Sequence, residues 1–420
     1  MTCTLNQTKP RLVLVGNGMA GMRALEELLK RAPNRYAITV FGAEPHGNYN
    51  RIQLSPLLAG ERTLDEIILH QPAWYDQHGI ELHTGSPVVA IDRTRRRVWN
   101  AAGVSVQYEE LLLATGSVPV MLPLPGSGLP GVLSFRTIND VSAMLAASFA
   151  QRRRAVVIGG GLLGLEAAYG LHKQGMAVTV VHLQPHLLER QLDEPAACLL
   201  ADHLRTLGIE LALGAQTEAL LGQDQVNAVQ LNDGRVLPTD LVVMAVGVRP
   251  DIELARQSGL QCERGIIVND ALQTSDPRIH AVGECVQHRG QCYGLVAPLW
   301  DQAQVFAERL AGKTDAQFTG AIPATTLKVT GIDVFSAGDF QAHSADETSI
   351  TETLVLRDPA AGIYKKLVLR TESDGAIRLV GVVLIGDARA SGWYLNLLKD
   401  GTDVAAWRDE LMFGPLEQAA

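Results

Sequence analysis

Residues 11–44 read RLVLVGNGMAGMRALEELLKRAPNRYAITVFGAE, and this stretch decides the fold. The apolar run 12–15 predicts a buried strand, and residues 38–41 predict a second one. Between them lie a glycine turn and an amphipathic helix that continues to about Ala32. The order of strand, glycine turn, helix and strand, followed by the acid Glu44, predicts a βαβ unit that binds a dinucleotide.

The turn fits the pattern Gly-x-Gly-x-x-Gly. In this pattern the first glycine makes the tight turn, the second lets a pyrophosphate approach the backbone, and the third lets the helix pack on the strand. The helix N-terminus offers free N–H groups to phosphates, and Glu44 can accept hydrogen bonds from an adenosine ribose. An ordinary glycine-rich βα turn is the alternative. The residues expected at the ligand are Gly16, Asn17, Gly18, Met19, Ala20 and Gly21.

The composition is that of a soluble α/β protein with two or three domains: 420 residues, 47% hydrophobic and 19% charged. A net charge of −9 argues against nucleic acid as a partner. No apolar run is long enough to span a bilayer and no leader is evident, so we expect a cytoplasmic protein without a membrane partner. The odd, scattered cysteines predict neither a disulfide framework nor a metal site. They are Cys3, Cys198, Cys262, Cys285 and Cys292.

The opening pattern occurs a second time. Residues 155–158 predict a strand, GGGLLG follows at 159–164, a helix continues to about Gln174, and residues 178–181 predict the next strand. The chain therefore holds an internal repeat and two predicted dinucleotide sites. The residues expected at the second site are Gly159, Gly161, Leu162, Leu163 and Gly164.

The second unit departs from the first where its acid should follow the strand. His182 stands there, and Arg190 lies further on. An acid favours the free 2′-hydroxyl of NAD, and an arginine favours the 2′-phosphate of NADP. The choice between NADH and NADPH therefore stays open, and NADH is slightly favoured. His182 itself is either an adenosine contact or a solvated residue.

Several strand ends and loops are further candidates for cofactor contacts. Arg51, in the loop after Glu44, could meet a phosphate or a flavin edge, or be a solvated loop arginine. Strand 108–114 ends in Ala114-Thr115-Gly116, and strand 241–246 ends in Gly247. A later strand end, Gly283-Glu284, could bring a carboxylate to the polyol of a cofactor. The helix from about Pro298 to Leu310 could stabilise negative charge at its N-terminus, and its Trp300 could stack near a flavin or cap the helix.

These landmarks, in this order, resemble the pyridine nucleotide–disulfide oxidoreductase superfamily, whose usual Gly-Asp is Gly283-Glu284 here. The resemblance is closest to the reductase portion of the NAD(P)H nitrite reductase large subunit. It rests on NYNR at 48–51, ERQLD at 189–193, GEC at 283–285, YGLVAPLW at 293–300 and GD at 386–387.

The fold that the resemblance implies is α/β, with two Rossmann-like, glutathione-reductase-type, three-layer dinucleotide-binding domains and a small C-terminal α+β domain. We expect an FAD-binding domain at 1–120 and 250–315, an NAD(P)H-binding domain at 121–249, and a C-terminal domain at 316–420 for partner docking or dimerisation. A homo-oligomer is compatible with this organisation.

The resemblance also assigns ligands to positions. For FAD they are Gly16, Asn17, Gly18, Met19, Ala20, Gly21, Glu44, Arg51, Val88, Ala114, Thr115, Gly116, Gly283, Glu284, Pro298 and Trp300. For NAD(P)H they are Gly159, Gly161, Leu162, Leu163, Gly164, Glu166, His182 and Gly247.

Two departures from related enzymes shape the expected chemistry. The nitrite reductase large subunits continue into cysteine clusters for an iron–sulfur centre and sirohaem, which this sequence lacks, so we expect that it cannot reduce nitrite alone. The loop 46–55 also lacks the redox cysteine of disulfide and peroxide reductases. The implied reaction is hydride transfer from NAD(P)H to FAD, then release of electrons to a separate metal-containing redox protein. No catalytic side chain is assigned, and Arg51 is a candidate for tuning the flavin.

We expect Cys285 to be a small buried thiol, although it could be a redox group or be bridged to Cys292. The leading hypothesis is the electron-transfer subunit of an assimilatory nitrate or nitrite reductase. A rubredoxin- or ferredoxin-type reductase is the alternative among enzymes. A flavin-binding sensor or assembly protein without useful turnover is the alternative from another class.

Overall fold

The computed structural model describes residues 9–149, 153–327, 331–341 and 350–415, so Cys3 lies outside the described residues. The chain divides into two compact units. Unit 1 is formed by the described parts of Met1–Gln53, Thr63–Val118 and Val248–Ala321. Unit 2 is formed by those of Leu54–Arg62, Pro119–Gly247 and Ile322–Ala420. The division into three domains stays a prediction.

The elements follow one another in three stretches. The first contains β1 (Arg11–Val15), α1 (Met19–Arg31), β2 (Ala37–Phe41), α2 (Leu54–Leu58), α3 (Leu64–Ile67), α4 (Pro72–Gln77), β3 (Ile80–His83), β4 (Val88–Asp92), β5 (Arg97–Asn100), β6 (Ser105–Gln107), β7 (Glu110–Leu113) and β8 (Ser117–Pro119). The second contains β9 (Val132–Ser134), α5 (Ile138–Phe149), β10 (Arg154–Ile158), α6 (Leu162–Lys173), β11 (Ala177–His182), α7 (Glu194–Thr206), β12 (Glu210–Leu213), β13 (Thr217–Gly222), β14 (Val226–Leu231), β15 (Val236–Pro238), β16 (Leu241–Met244) and β17 (Val248–Pro250). The third contains α8 (Glu253–Gln257), β18 (Ile266–Val268), β19 (Ile279–Ala281), β20 (Val286–His288), β21 (Gln291–Cys292), α9 (Val296–Ala311), β22 (Ala324–Leu327), β23 (Val334–Gly338), β24 (Ile350–Asp358), β25 (Ile363–Thr371), β26 (Ile377–Ile385) and α10 (Ser391–Asp400). Short 3-10 helices occupy Arg51–Gln53 and Ala405–Phe413.

Unit 1 is built on a five-stranded parallel sheet with the order β19-β7-β1-β2-β3. β1 is buried from Leu12 to Val15 because both of its faces are covered, as its continuous apolar run predicts. α1 and α9 pack against each other and share the apolar core of this unit. The chain leaves β1 toward β2 on one side while β7 lies on the other. This change of direction opens a crevice at the carboxyl end of β1, where α/β sheets bind ligands.

Unit 2 repeats this plan with a second five-stranded parallel sheet, β12-β11-β10-β16-β9. Its central strand, β10, lies between β11 and β16, so the same crevice forms at its carboxyl end. α6 packs on this sheet, and the short α2 packs on α5 and α6. A side chain on Gly170 of α6 would lie 2.7 Å from Leu58 of α2, so this glycine permits the close packing.

The C-terminal part of unit 2 is an antiparallel sheet of order β22-β23-β26-β25-β24 with α10 packed on it. Its core combines residues of the sheet, such as Leu367 and Val382, with Tyr394 of α10. The predicted α/β fold with two Rossmann-like sheets and a small C-terminal α+β part is confirmed.

Each helix in the described ranges is too short or too polar to cross a bilayer. Among the same residues, no three side chains of His, Cys, Asp or Glu are grouped so that they could hold a metal ion.

Candidate functional site

The first glycine turn connects β1 to α1, and two of its glycines are required by packing. Gly16 has φ +111°, and a Cβ there would lie 2.1 Å from the Ala114 carbonyl oxygen. A Cβ on Gly21 would lie 2.8 Å from the Ala114 Cβ. Gly18, at the start of α1, has no atom of the described residues within 4 Å of a Cβ position. The open space therefore lies at the helix N-terminus, where a pyrophosphate fits.

Buried polar residues hold the side of this turn. Asn48 donates from Nδ2 to the Asn17 carbonyl at 3.0 Å, and Tyr75 donates to Asn17 Oδ1 at 3.0 Å. His70 Nδ1 lies 3.1 Å from Asn48 Oδ1. Asn17 Nδ2 is buried without a hydrogen-bond partner among the described residues. The turn thus keeps a free donor, which suits a phosphate or ribose oxygen.

Sequence reasoning missed this support, since Asn48, His70 and Tyr75 lie far from Asn17 along the chain. Only Asn48 gave a signal, because it opens the NYNR motif. Burial raises the pKa of Tyr75, so its hydroxyl stays a donor at neutral pH.

Glu44 lies in a small polar cluster after β2. Its carboxylate accepts from the Tyr49 hydroxyl at 2.8 Å and pairs with the Arg51 guanidinium. Arg51 also donates to the Tyr49 oxygen at 2.7 Å. The alternative of a solvated loop arginine is therefore wrong. Burial lowers the pKa of Arg51, but Tyr49 and Glu44 outweigh it and raise the pKa above its ordinary value.

Val88 opens β4 in a separate antiparallel sheet, where it pairs with Asn100. Just before it, the Ser86 amide donates to the Gly42 carbonyl at 2.7 Å. Val88 therefore follows, by two residues, a backbone contact with the loop that carries Glu44.

The ends of β7 and β19 meet the glycine turn at the same edge of the sheet. Gly283 has φ +95°, and a Cβ there would lie 3.1 Å from that of Ala20. Its amide donates to Gln302 Oε1 of α9 at 2.8 Å, and Gln302 Nε2 is buried without a partner among the described residues. Glu284 accepts from the Ser117 hydroxyl at 2.5 Å.

Thr115 and Gly116 complete this edge. Thr115 Oγ1 donates to the Asp251 carbonyl at 2.6 Å, and the Asp251 amide donates to the Gly116 carbonyl at 2.9 Å. The residues assigned to the flavin half thus lie around the carboxyl ends of β1, β7 and β19. Gln302 and Ser117 are two further polar residues there that sequence reasoning missed.

Trp300 and Pro298 lie in the first turns of α9, whose N-cap is Leu295. Pro298 is buried, and the Trp300 ring lies 5.8 Å from the guanidinium carbon of Arg23 in α1. Trp300 is therefore not the helix cap, and that alternative is wrong.

The second turn, between β10 and α6, has the same construction. Gly159 has φ +120°, and a Cβ there would lie 2.3 Å from the Ala245 carbonyl oxygen. A Cβ on Gly164 would lie 1.9 Å from the Gly159 oxygen. In the ranges that the structure describes, no atom lies within 4 Å of a Cβ position on Gly161 or Gly247. Leu162 and Leu163 are the first two residues of α6, so this turn also opens onto a helix N-terminus.

His182 ends β11 and lies against this turn. Its Nδ1 accepts from the Gly160 amide at 3.0 Å, and its Nε2 lies 3.1 Å from Glu189 Oε2. The side chain is 9% exposed, so the alternative of a solvated histidine is wrong.

Glu166, in α6, carries a buried carboxyl group. It accepts from the Ser55 hydroxyl of α2 at 2.6 Å. Burial raises the pKa of Glu166 to about 7, although the hydrogen bond from Ser55 opposes this shift. Sequence reasoning found Glu166 but missed Ser55, because a one-turn helix has no periodicity that places it.

Cys285 is a core residue rather than a redox group. It is fully buried, and this burial raises the pKa of the thiol to about 11. Cys285 and Cys292 are both free, so the alternative of a bridge between them is wrong. Cys198 and Cys262 are also free thiols.

Acids of the ERQLD and GD motifs both contact one strand of the C-terminal sheet, β25. Asp193, the last residue of ERQLD, accepts from the Tyr364 hydroxyl at 2.7 Å and pairs with Lys366 at 3.1 Å. Asp387, of the GD motif, pairs with Lys365 at 3.3 Å. Both acids therefore bind residues 364–366 of β25, a structural role that the sequence did not reveal.

Comparison with known proteins adds to this geometry. Residues 10–305 match the pyridine nucleotide-disulphide oxidoreductase family, and residues 323–402 match the rubredoxin NAD+ reductase C-terminal domain. The chain is 46% identical to a nitrite reductase [NAD(P)H] of Bacillus subtilis (strain 168), covering 98% of this chain and 50% of that protein. It is 44% identical to the assimilatory nitrate reductase electron transfer subunit of the same organism, covering 96% and 51%.

A solved structure of a covalent putidaredoxin reductase–putidaredoxin complex superimposes with a TM-score of 0.83 at 28% identity, covering 94% of both chains. The chain spans about half the length of the two Bacillus relatives. The expected resemblance and the oxidoreductase class are confirmed: this chain belongs to the pyridine nucleotide-disulphide oxidoreductase family.

Proposed function

We propose that this chain is an FAD-dependent NAD(P)H oxidoreductase that passes electrons to a separate metal-containing redox protein. Its role would be that of an electron-transfer subunit in nitrate or nitrite reduction. Membership of the family implies FAD and a nicotinamide nucleotide as the pair of cofactors. A location in the cytoplasm and a preference for NADH stay predictions.

One observation carries the proposal: the chain has two glycine turns of the same construction, each at the centre of its own parallel sheet. In each, packing demands the first and third glycines, while the middle glycine, Gly18 or Gly161, leaves space at a helix N-terminus. A single turn would suit many nucleotide-binding proteins. Two turns suit a protein that handles two dinucleotides.

The side chains around the first turn fit FAD. Asn17 offers an amide donor that has no partner in the described part of the chain, and Glu44 offers a carboxylate shortly after β2. Glu284 and the N-terminus of α9 would lie on the flavin side. When bound, FAD would supply the redox chemistry by accepting a hydride and releasing its electrons to the next carrier.

The side chains around the second turn fit a nicotinamide nucleotide. Gly161 and the first residues of α6 would receive its pyrophosphate. Gly247 leaves backbone open at the end of β16, and Glu166 offers a carboxyl group that can hold a proton near neutral pH. Because Cys285 is buried in the core, no thiol is assigned a redox role here.

The named relatives support nitrate or nitrite reduction as the setting, because they are a nitrite reductase and a nitrate reductase electron transfer subunit. A second candidate is a reductase for rubredoxin or another small iron–sulfur protein. It is favoured by the match of residues 323–402 to the rubredoxin NAD+ reductase C-terminal domain.

The proposal is tested with purified, FAD-loaded protein under anaerobic conditions. NADH or NADPH should bleach the flavin absorbance, and a dye acceptor should restore it through many turnovers. If neither nucleotide lowers the flavin absorbance, the proposal of an enzyme is wrong, and a sensor or assembly role takes its place. Rubredoxin and a nitrate reductase catalytic subunit, offered as competing acceptors, then separate the two candidate partners by the faster reoxidation.

A further inference from the structure

We propose that Glu189 is the acid that recognises the adenosine ribose at the second turn and selects NADH over NADPH. His182 would be the residue that positions it. This inference rests on the proposed use of a nicotinamide nucleotide at the Gly159 turn.

His182 cannot itself take the role of the acid after the strand. Its Nδ1 accepts from the Gly160 amide at 3.0 Å, so the ring proton lies on Nε2 and points at Glu189. Both nitrogens are therefore occupied, and the imidazole is 9% exposed. Space for the ring depends on the glycine at 160, where a Cβ would lie 2.7 Å from His182 Cγ.

The loop after β11 brings Glu189 back to the glycine turn. The Leu188 amide, one residue earlier, donates to the Gly160 carbonyl at 3.1 Å. Leu188 is buried and has φ +52°, a conformation that a leucine rarely adopts and that its surroundings must impose. The Gly160 amide is thus bound by His182 at the end of β11 and its carbonyl by Leu188 of this loop, which fixes the backbone next to Glu189.

The Glu189 side chain is available to a ligand. It is 37% exposed, and in the described part of the chain its hydrogen bond to His182 uses only Oε2. Leu183, which directly follows His182, is 60% exposed and offers an apolar surface to an adenine ring. A carboxylate beside the turn accepts from a free 2′-hydroxyl and repels a 2′-phosphate.

Arg190 is the competing candidate, because it is exposed and directly follows Glu189. If Arg190 dominated, the site would favour the 2′-phosphate of NADPH. The geometry favours Glu189, since its carboxylate is fixed by His182 whereas Arg190 projects to solvent.

The test uses the FAD-loaded full chain and equilibrium binding by calorimetry. NAD+ is compared with NADP+, and 5′-AMP with 2′,5′-ADP, which probe the adenosine end alone. The wild type should bind the ligands without the 2′-phosphate more tightly. Glu189→Gln should lower that preference about tenfold. The variant weakens the hydrogen bond that the charged carboxylate accepts from the 2′-hydroxyl, and it removes the repulsion of a 2′-phosphate.

Glu210→Gln is the matched control. Glu210 begins β12, at the opposite end of the same sheet, and its side chain accepts from the Thr179 hydroxyl at 3.0 Å. It should leave the preference unchanged.

An unchanged preference in Glu189→Gln would overturn the inference, as would a wild-type preference for NADP+ that Arg190→Gln removes. In both cases the proposed function stands. If the wild type bound neither nucleotide, the proposed function itself would fail.

Discussion

The two glycine turns of this chain have the same backbone but different acids. In both, a positive φ at the first glycine brings it against a carbonyl oxygen, that of Ala114 in one and Ala245 in the other. Glu44 follows β2 in the first unit and accepts from Tyr49, whereas in the second unit His182 ends β11 and binds Glu189 of the following loop. The backbone geometry is set by packing against the sheet, and the acid is the part that can vary.

The largest expected effects come from alanine at the first glycine of each turn. Gly16→Ala should yield protein with little bound flavin, because its Cβ would meet a carbonyl oxygen at 2.1 Å. Gly159→Ala should keep its flavin but be bleached by NADH at least about a hundredfold more slowly, equivalent to a cost of about 3 kcal/mol. Flavin absorbance per protein and stopped-flow bleaching measure the two effects.

Gly103→Ala and Gly175→Ala are the matched controls. Both positions have positive φ, +84° and +81°, but no atom among the described residues lies within 4 Å of a Cβ there. They carry the backbone strain without the clash, so flavin content and bleaching should stay near the wild type. If NADH bleached the flavin of Gly159→Ala as fast as that of Gly175→Ala, the second turn would not bind a dinucleotide as the first turn is proposed to do.

A buried carboxyl group further distinguishes the second turn. The pKa of Glu166 is raised from 4.5 to about 7 by burial, so the folded protein binds a proton that the unfolded chain has lost between these values. Stability from this group is full below about pH 4.5 and is lost as pH rises through about 7. The loss is on the order of 3 kcal/mol.

Urea unfolding of the wild type and Glu166→Gln at pH 5 and pH 8 measures this difference. The wild type should lose stability relative to the variant between the two pH values. Ser55→Ala should move the loss to higher pH, because the Ser55 hydrogen bond lowers the pKa of Glu166. Parallel behaviour of all three proteins would contradict the prediction.

The contact between ERQLD and the C-terminal sheet gives a smaller effect. Tyr364→Phe removes the 2.7 Å hydrogen bond to Asp193, which also caps α7 by accepting from the Ala196 amide. We expect a loss of about 1 kcal/mol and faster hydrogen exchange at the start of α7. In the control Tyr394→Phe, the lost bond joins Tyr394 to the Leu411 carbonyl, so exchange in α7 should not change.

The smallest effect is expected at Cys285. Cys285→Ser places a hydroxyl where the thiol contacts the Val282 carbonyl at 3.3 Å, so a polar atom in the core should cost about 1 kcal/mol of stability. NADH-driven dye reduction should stay nearly unchanged. A loss of orders of magnitude would show that the thiol takes part in electron transfer.

The sequence predicted what local patterns encode. Apolar runs of strand length and glycines at fixed spacing located both βαβ units, because strand burial and a tight turn each depend on neighbouring residues. Asn48 and Tyr75 could not be assigned to Asn17, because their contact depends on how distant segments fold back. The one-turn helices α2 and α3 were also missed, since so short a helix shows no period.

The environment of His182 is a second feature that local sequence patterns could not predict. Its position directly after the predicted strand 178–181 was evident, but its buried orientation depends on Gly160 and on the return of Leu188. The sequence offered no sign that an acid seven residues later would lie on the other side of the ring. Contacts of this kind need the path of the loop, which residue types alone do not determine.

The fit between Gly160 and His182 also constrains how this site can change over evolution. A side chain at 160 would lie 2.7 Å from both His182 Cγ and Leu187 Cδ2, so it is tolerated only after smaller residues appear at these positions. An acid at 182 could still accept from the Gly160 amide, but it would leave Glu189 without its donor and would place two carboxylates side by side. Residues 160, 182, 187 and 189 should therefore vary together among related chains, and no single substitution at 182 should restore an acid after the strand without loss of stability.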